Sequence, residues 1–423
     1  MKKTLPFLNY SQLLTSLIAI TLITAPLYPL RFKIFGYSPS TIIEVMVILT
    51  SLIWFIDKIK SRSFSIAHTK FDWIIIVFLL SGLISTIISN DWIASLGRFR
   101  AFFIEPIMFY YIFTDTYIRY WQQKQSSVKI LSKIRNFNFP RIILISMFFA
   151  AIWVSILGIL QYFFQIGIVT PDQSNRAHGF YNIGNQLAMV VGPMLLIFVA
   201  SYKHKFYKYP YYLITLTLTV AFFATDSQGG WIGLFGGIIV IFVSRIVKEA
   251  LLNKLMQYFI VGICLLFIIF LTQISHFTPK NINPWIRPGG TELVRLCLWE
   301  GAFNAVKDHP ITGVGMAGFS QTYGSKYYTC DGEPFEDTDN ILLNFWTKTG
   351  ILGLLACIFM LLIVFSQSQV FIYQLPFIYW FIHGMVDVPY FKNDLSLYWW
   401  VFAALIAIHN YNNTQGSINT NNP

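Results

Sequence analysis

Apolar runs close to 20 residues long recur from one end of the chain to the other, separated by short segments rich in charge, proline or glycine. As a helix, each run is long enough to cross a hydrocarbon core of about 30 Å. Twelve spans can be drawn, centred near residues 22, 48, 80, 109, 153, 192, 217, 237, 264, 355, 379 and 402. Pro106, Pro376 and Pro389 bound or interrupt the fourth, eleventh and twelfth. Such prolines are tolerated where neighbouring helices satisfy the freed carbonyls. The first run, near 13–30, shows no secretory cleavage site and is followed by further spans, so it reads as a retained helix. The expected fold class is an all-α integral membrane protein of about 12 transmembrane helices. Residues 1–409 form one polytopic domain and the polar, Asn-rich segment 410–423 forms a disordered tail. No internal repeat and no heptad stretch is visible.

Composition supports this pattern. The chain is 55% hydrophobic and only 12% charged, with mean hydropathy +0.58, against about 25% charged residues in soluble domains. The net charge of +11 therefore speaks of topology rather than of nucleic acid, because Lys and Arg accumulate on the cytoplasmic side of membrane proteins. With the amino terminus placed inside, eighteen Lys and Arg fall in the inner loops and eleven in the outer ones. Both termini are then cytoplasmic, and the longest loop, about 275–339, faces outward. The Arg176 loop and the 387–394 loop face the same way. Four cysteines make no disulfide framework. Cys264 and Cys357 sit in apolar runs, while Cys297 and Cys330 share the long loop and can pair if it meets an oxidising space.

The outward segments carry the chemistry. Within the long loop, 292–307 has helical spacing, with Leu293, Leu296, Leu298, Trp299, Ala302, Phe303 and Val306 on one face. It reads as an amphipathic helix at the membrane surface, with Arg295 on it. Pro310 then stops the helix, and Gly313 and Gly315 allow a tight turn. An earlier loop runs from Ser174 through Arg176, His178 and Gly179 to Asn182, and Asn182 or Asn185 is placed to cap the helix that follows. Gln228 lies in the polar insert between the seventh and eighth spans, and a further insert runs from His383 to Pro389. An ordered polar cluster at the edge of an apolar bundle suggests function, since an ionisable group at membrane depth costs about 2.5–3.5 kcal/mol. Plainer readings exist for each residue. Arg176 and Arg295 can be headgroup anchors, and Asp387 a helix-end turn residue. Asp331, Glu333, Glu336, Asp337 and Asp339 read as a solvated acidic run. His178 and His309 read as loop hydrogen-bonders, with no second ligand at metal spacing.

Taken together, these stretches resemble the O-antigen ligase superfamily, which contains lipopolysaccharide O-antigen ligases, O-antigen polymerases and bacterial protein O-oligosaccharyltransferases. The matching positions are Arg176, Gly179, Phe180 and Asn185; Ser227 and Gly229; Arg295 and Trp299; the run 309–315; and Asn340 followed by Gly350 and Gly353. The resemblance covers about 90–390. It implies a GT-C-like membrane fold and an inverting transfer of a glycan, with no metal and no cofactor. The donor is a polyprenyl (undecaprenyl) pyrophosphate-linked glycan, and the acceptor is a hydroxyl on a lipid, a protein or another glycan, on the outer face of a bacterial inner membrane. It assigns Arg176 and Arg295 to the pyrophosphate, whose oxygens suit planar guanidinium forks. It places Gln228, Asn340, Asn185 and His309 at the substrate. The family's base position, usually His, is here Asp339, and the Ser-x-Gly turn carries Gln228 where a cation is common. Three readings of the base stay open: Asp339 itself, a substitute among His178, His309 and His383, or a divergent, weakly active member. A transporter of lipid-linked glycans is the competing class. It would call for inverted repeats and midplane charge, and neither is seen in the sequence. A structural membrane protein is the third.

Overall fold

The computed structural model describes residues 10–33, 39–62, 64, 66, 68–126, 138–166, 175–201, 208–274, 291–327 and 335–420. In chain order its helices begin with α1 (Tyr10–Thr24), α2 (Ile42–Ser61), α3 (Asp72–Ile88), α4 (Trp92–Phe99) and α5 (Glu105–Ser126). There follow α6 (Phe139–Phe164), α7 (Gly184–Ala200), α8 (Lys208–Ala224), α9 (Gln228–Val243) and α10 (Glu249–Thr272). The last are α11 (Thr291–Asp308), α12 (Gly318–Thr322), α13 (Ile341–Ser366), α14 (Phe371–His383) and α15 (Asn393–Thr420). One antiparallel pair, β1 (Arg31–Lys33) and β2 (Pro39–Thr41), sets Arg31 opposite Thr41 ahead of α2.

All twelve expected span centres fall inside helices. Among the described residues four helical stretches are long and apolar enough to cross a membrane: Tyr10–Leu27, Phe139–Phe164, Glu249–Thr272 and Ile341–Ser366. Asp72–Ile88, Gly184–Ala200, Tyr211–Ala224 and Gln228–Val243 are shorter apolar helices. Large apolar side chains stay exposed along α3, α8, α9 and α10, among them Trp73, Leu213, Ile239, Tyr258 and Leu266. That is the surface of helices whose outer solvent is hydrocarbon.

Local signals start several helices. Thr41 and Glu44 form a reciprocal capping box on α2. Asn138 caps α6, with Pro140 in its first turn. The capping expected of Asn182 or Asn185 is not what forms. The N-cap of α7 is Ile183, with no side-chain cap, and the Gln186 side chain accepts from the Asn182 backbone N–H instead (3.3 Å). Helix α15 runs as far as Thr420. No proline interrupts it, and once a helix is under way each added residue gains a hydrogen bond at little nucleation cost.

The chain divides into two units. The first comprises Met1–Thr69, Glu105–Ser227 and Asn393–Pro423. In it α5 packs on α15, and α6 on α1, α7 and α8. Trp153 donates to the Ile23 carbonyl (3.0 Å) and Tyr398 to that of Leu22 (2.9 Å). A buried ion cluster joins α2 to α5, with Lys58 on Asp115 (2.6 Å) and Arg119 on Asp57 and Asp115.

The second unit comprises Lys70–Ile104 and Gln228–Lys392. Here α3, α10 and α11 pack on α13, and α9 packs on α14. α11 spans the segment read as amphipathic, and Leu298, Ala302, Phe303 and Val306 of its apolar face are buried in the protein. Cys297 is buried on it, while Cys330, its expected partner, lies outside the described residues.

Helix α13 is broken at Gly350 (φ 68°, ψ −171°). The segment 309–315 fits into the break. Ile351 donates to the Ile311 carbonyl (3.2 Å), Val314 donates to that of Thr347 (2.7 Å), and the Trp346 indole donates to that of Pro310 (2.9 Å). A Cβ on Gly350 would lie 1.9 Å from the Ile311 oxygen, and one on Gly313 would lie 2.3 Å from the Thr347 oxygen. These glycines are needed for backbone to meet backbone. Two of the sequence motifs are thus halves of one joint, which fixes the end of α11 against α13.

Candidate functional site

In the second unit Arg295 on α11, Asp337 and Asp339 in the turn entering α13, and Asp387 and Lys392 after α14 form one electrostatically linked group. Asn340 makes the junction. Its side chain caps α13 by accepting from the Leu343 N–H (3.0 Å) and donates to the Met385 carbonyl (2.9 Å), while the Ile341 N–H donates to that of Gly384 (2.6 Å). The turn carrying Asp339 is thereby tied to the turn carrying Asp387.

Asp339 is half-buried and adopts a left-handed backbone (φ 48°). Asp, Asn and His tolerate that conformation best after glycine. Burial and the neighbouring Asp387 carboxylate push its acid constant up to about 7, while Arg295 and Lys392 pull it back down. An ordinary Asp has a pKa near 3.9. The carboxyl is therefore poised near neutrality, as a general base should be. Burial also opposes ionisation of Asp337, but Lys348 and Lys392 outweigh it and hold that carboxyl below the usual range. Asp337 accepts from Lys348 Nζ (2.5 Å) and Asn344 Nδ2 (3.2 Å), with Lys392 Nζ at 3.5 Å. Two carboxylates two residues apart are thus shifted in opposite directions: one held down by lysines, the other raised by burial and by a second acid.

Arg295 lies on α11 with its Nε buried and without a hydrogen-bond partner, and the indole nitrogen of Trp299, one turn on, is likewise unpaired. The Trp299 ring meets Phe267 and Phe270 edge-on, at 5.7 and 6.1 Å. Buried donors left open in this way are rare in folded proteins and suit an oxyanion. His383 is fully buried, with Nδ1 3.3 Å from the Tyr379 hydroxyl and Nε2 unpaired. Its ring packs against Gly229, where a Cβ would lie 2.7 Å from Cδ2. The glycine of the Ser-x-Gly turn thus makes room for a histidine.

Arg176 lies in the first unit. Its guanidinium donates to the Thr225 carbonyl (2.7 Å), the Asp226 carbonyl (3.0 Å) and Asn185 Oδ1 (2.7 Å). It holds the turn after α8 against the start of α7. Asn185 is engaged in that contact rather than as a cap. His178 is buried, with Nδ1 2.9 Å from the Tyr181 oxygen, in the hydrogen-bonding role expected of it. In the second unit, His309 is exposed where α11 ends, and its carbonyl accepts from the Gly313 N–H (2.9 Å). Gln228 is exposed at the first residue of α9.

Within the acidic run Glu336 is solvent-exposed as expected, whereas Asp337 and Asp339 are drawn inward. Glu336 pairs with Arg98 (3.0 Å), Asp337 with Lys348, and Asp339 is half-buried, while Asp331 and Glu333 lie outside the described residues. Among the described residues no group of three His, Cys, Asp or Glu side chains is arranged to hold a metal ion. The sequence alone had not singled out Asp387 or Lys392 as site residues. The one available signal was Lys348, an ionisable residue within an apolar helix, which calls for a buried partner.

Residues 213–358 match the family model described as O-antigen ligase. An uncharacterised protein of Haemophilus influenzae is 23% identical over 368 residues, spanning 83% of this chain and 82% of that one.

Proposed function

This chain carries an O-antigen ligase family domain over residues 213–358, and from that premise we propose that it transfers a glycan from a polyprenyl pyrophosphate carrier to an acceptor hydroxyl. The domain and the apolar helices make it an integral membrane protein. The proposed setting is a bacterial inner membrane, with about twelve spans in a GT-C-like arrangement, cytoplasmic termini and the 275–339 loop outside. The acceptor is a lipid, protein or glycan hydroxyl.

The observation that carries the reading is the convergence of Asp339, Asp387, Lys392 and Arg295 on the junction into α13. In the proposed step the Asp339 carboxylate takes the proton of the acceptor hydroxyl as its oxygen attacks the anomeric carbon. The bond from that carbon to the pyrophosphate oxygen breaks, and the electron pair leaves with the lipid pyrophosphate. One displacement inverts the centre. Arg295 meets the charge on the departing oxygens, which is a large catalytic contribution in such sites. Lys392 offsets the cost of setting a carboxylate near a pyrophosphate. Asp387 keeps the Asp339 pKa high enough for the base to work near pH 7. Asn340 positions Asp339 by tying both turns together. Gln228 and His309, both exposed, are proposed to reach the glycan. The pyrophosphate role that the resemblance gives Arg176 is a separate proposal, with its own test below.

The test is a reconstituted assay with a polyprenyl-pyrophosphate glycan. Asp339→Asn should abolish transfer, and Asp339→His, compatible with the left-handed backbone, should retain or raise it. Full activity of Asp339→Asn would sink the assignment of the base.

A further inference from the structure

Within the first unit, α6, α7 and α8 line an open cleft of about 380 Å³, within the range of ligand pockets. Its wall is built from ordered rings: Phe198 stacks on Tyr211 at 4.4 Å, and Phe148 meets Phe198 edge-on at 5.3 Å. Apart from Arg141, the polar groups of the lining are two hydroxyls, and both are turned back into helix backbone. Ser201 Oγ donates to the Ile197 carbonyl (2.7 Å), and Tyr211 to that of Phe198 (3.2 Å). Arg141 is thus the single charge of the lining among the described residues. It is exposed in the first turn of α6, and no carboxylate among the described residues pairs with its guanidinium.

An apolar cleft between helices whose one cation has no carboxylate partner among the described residues matches an amphiphile that is apolar along its length and anionic at one tip. It does not match a free phosphate, which would find one guanidinium and, among the described residues, no other free polar side chain. It equally gives a neutral lipid no reason to be preferred. We propose that this cleft binds one anionic phospholipid, an acyl chain lying among Phe148, Ile152 and Phe198 and the phosphate meeting Arg141. Basic pockets between membrane helices recognise lipid headgroups in this way. Only the leaflet depends on the function proposed above: under that orientation Arg141 stands at the cytoplasmic surface. The site is independent of glycan transfer, so its test needs no transfer activity.

The test is native mass spectrometry of the full-length protein in neutral detergent. The probes are phosphatidylglycerol, phosphatidylcholine with the same chains, and inorganic phosphate. The wild type should retain one phosphatidylglycerol with about fivefold preference over phosphatidylcholine, the size of effect expected of one basic residue near an anionic lipid. Arg141→Ala should erase the preference while keeping the melting temperature. Ile145→Trp, at an exposed position of the lining, should fill the cleft and lose both lipids. Equal retention of the two lipids by the wild type, an undiminished preference in Arg141→Ala, or displacement of phosphatidylglycerol by inorganic phosphate would each overturn the proposal.

Discussion

Arg176 and Arg295 are the same residue type and are given the same task by resemblance to one superfamily, yet their surroundings differ. The Arg176 guanidinium makes three hydrogen bonds to Thr225, Asp226 and Asn185, all within its own unit. Arg295 keeps a buried Nε without a hydrogen-bond partner among the described residues and interacts electrostatically with the Asp339 carboxyl. A guanidinium engaged by carbonyls cross-links a fold. One whose buried Nε lacks an acceptor carries a demand for a ligand oxygen. Sequence motifs do not separate the two cases, because both need the same planar fork.

The sharpest way to break this contrast is at the base. Asp339→Asn keeps the backbone conformation and removes the proton acceptor, so transfer should fall by about 10²–10⁴-fold, the usual worth of general base catalysis. The pH profile sharpens the same point. The base acts when deprotonated, so wild-type kcat/KM should rise with pH through about 7 and then level. The linked stability runs the other way. The folded state holds the Asp339 proton up to about pH 7, whereas the unfolded chain releases it near 4. Stability should therefore decline as pH rises across that window, and Asp339→Asn should flatten the decline in thermal melts.

Next in size, Arg295→Ala should lower transfer by about 10²–10³-fold, as loss of an oxyanion donor does, with an unchanged melting temperature. Arg176→Ala should show the reverse emphasis. Loss of hydrogen bonds from a charged donor costs about 1.5–3 kcal/mol, read as a lower melting temperature. Arg176→Lys tests its own pyrophosphate proposal: a variant of wild-type stability with transfer lost would place Arg176 with Arg295 and erase the contrast. The smallest effect is a shift of the pH midpoint. The Asp387 charge raises the Asp339 pKa and Lys392 lowers it, so Asp387→Asn should move the rising limb to lower pH and Lys392→Met to higher pH. Midpoints that stay put in both variants would detach these residues from the base.

Much of the fold is legible in the sequence because hydropathy in a membrane is a strong and local signal. Each expected span centre falls in a helix, and the period of 292–307 matches α11. The misreadings fall where local preference competes with a tertiary partner. Asn182 and Asn185 have the chemistry of a cap, but Arg176 and Gln186 take their places in the network. The acidic run has the composition of a solvated loop, but Lys348, buried eleven residues on, draws Asp337 inward. Asp387 reads as a turn residue until Asn340 ties its turn to that of Asp339.

By itself the sequence carried the helical membrane architecture, the resemblance to the O-antigen ligase superfamily that the match over residues 213–358 supports, and the position of the junction at Asp339 and Asn340. Each is encoded in runs or spacings a few residues long. Tertiary structure alone decided which charged groups meet. It set Asp387, Lys392 and Arg295 around Asp339 and gave that carboxyl a pKa near 7. It also showed Gly350 and Gly313 to be the two halves of a backbone joint. The physical reason is that a side chain's ionisation and its spare hydrogen-bonding capacity depend on burial and on neighbours distant along the chain, which no local pattern records.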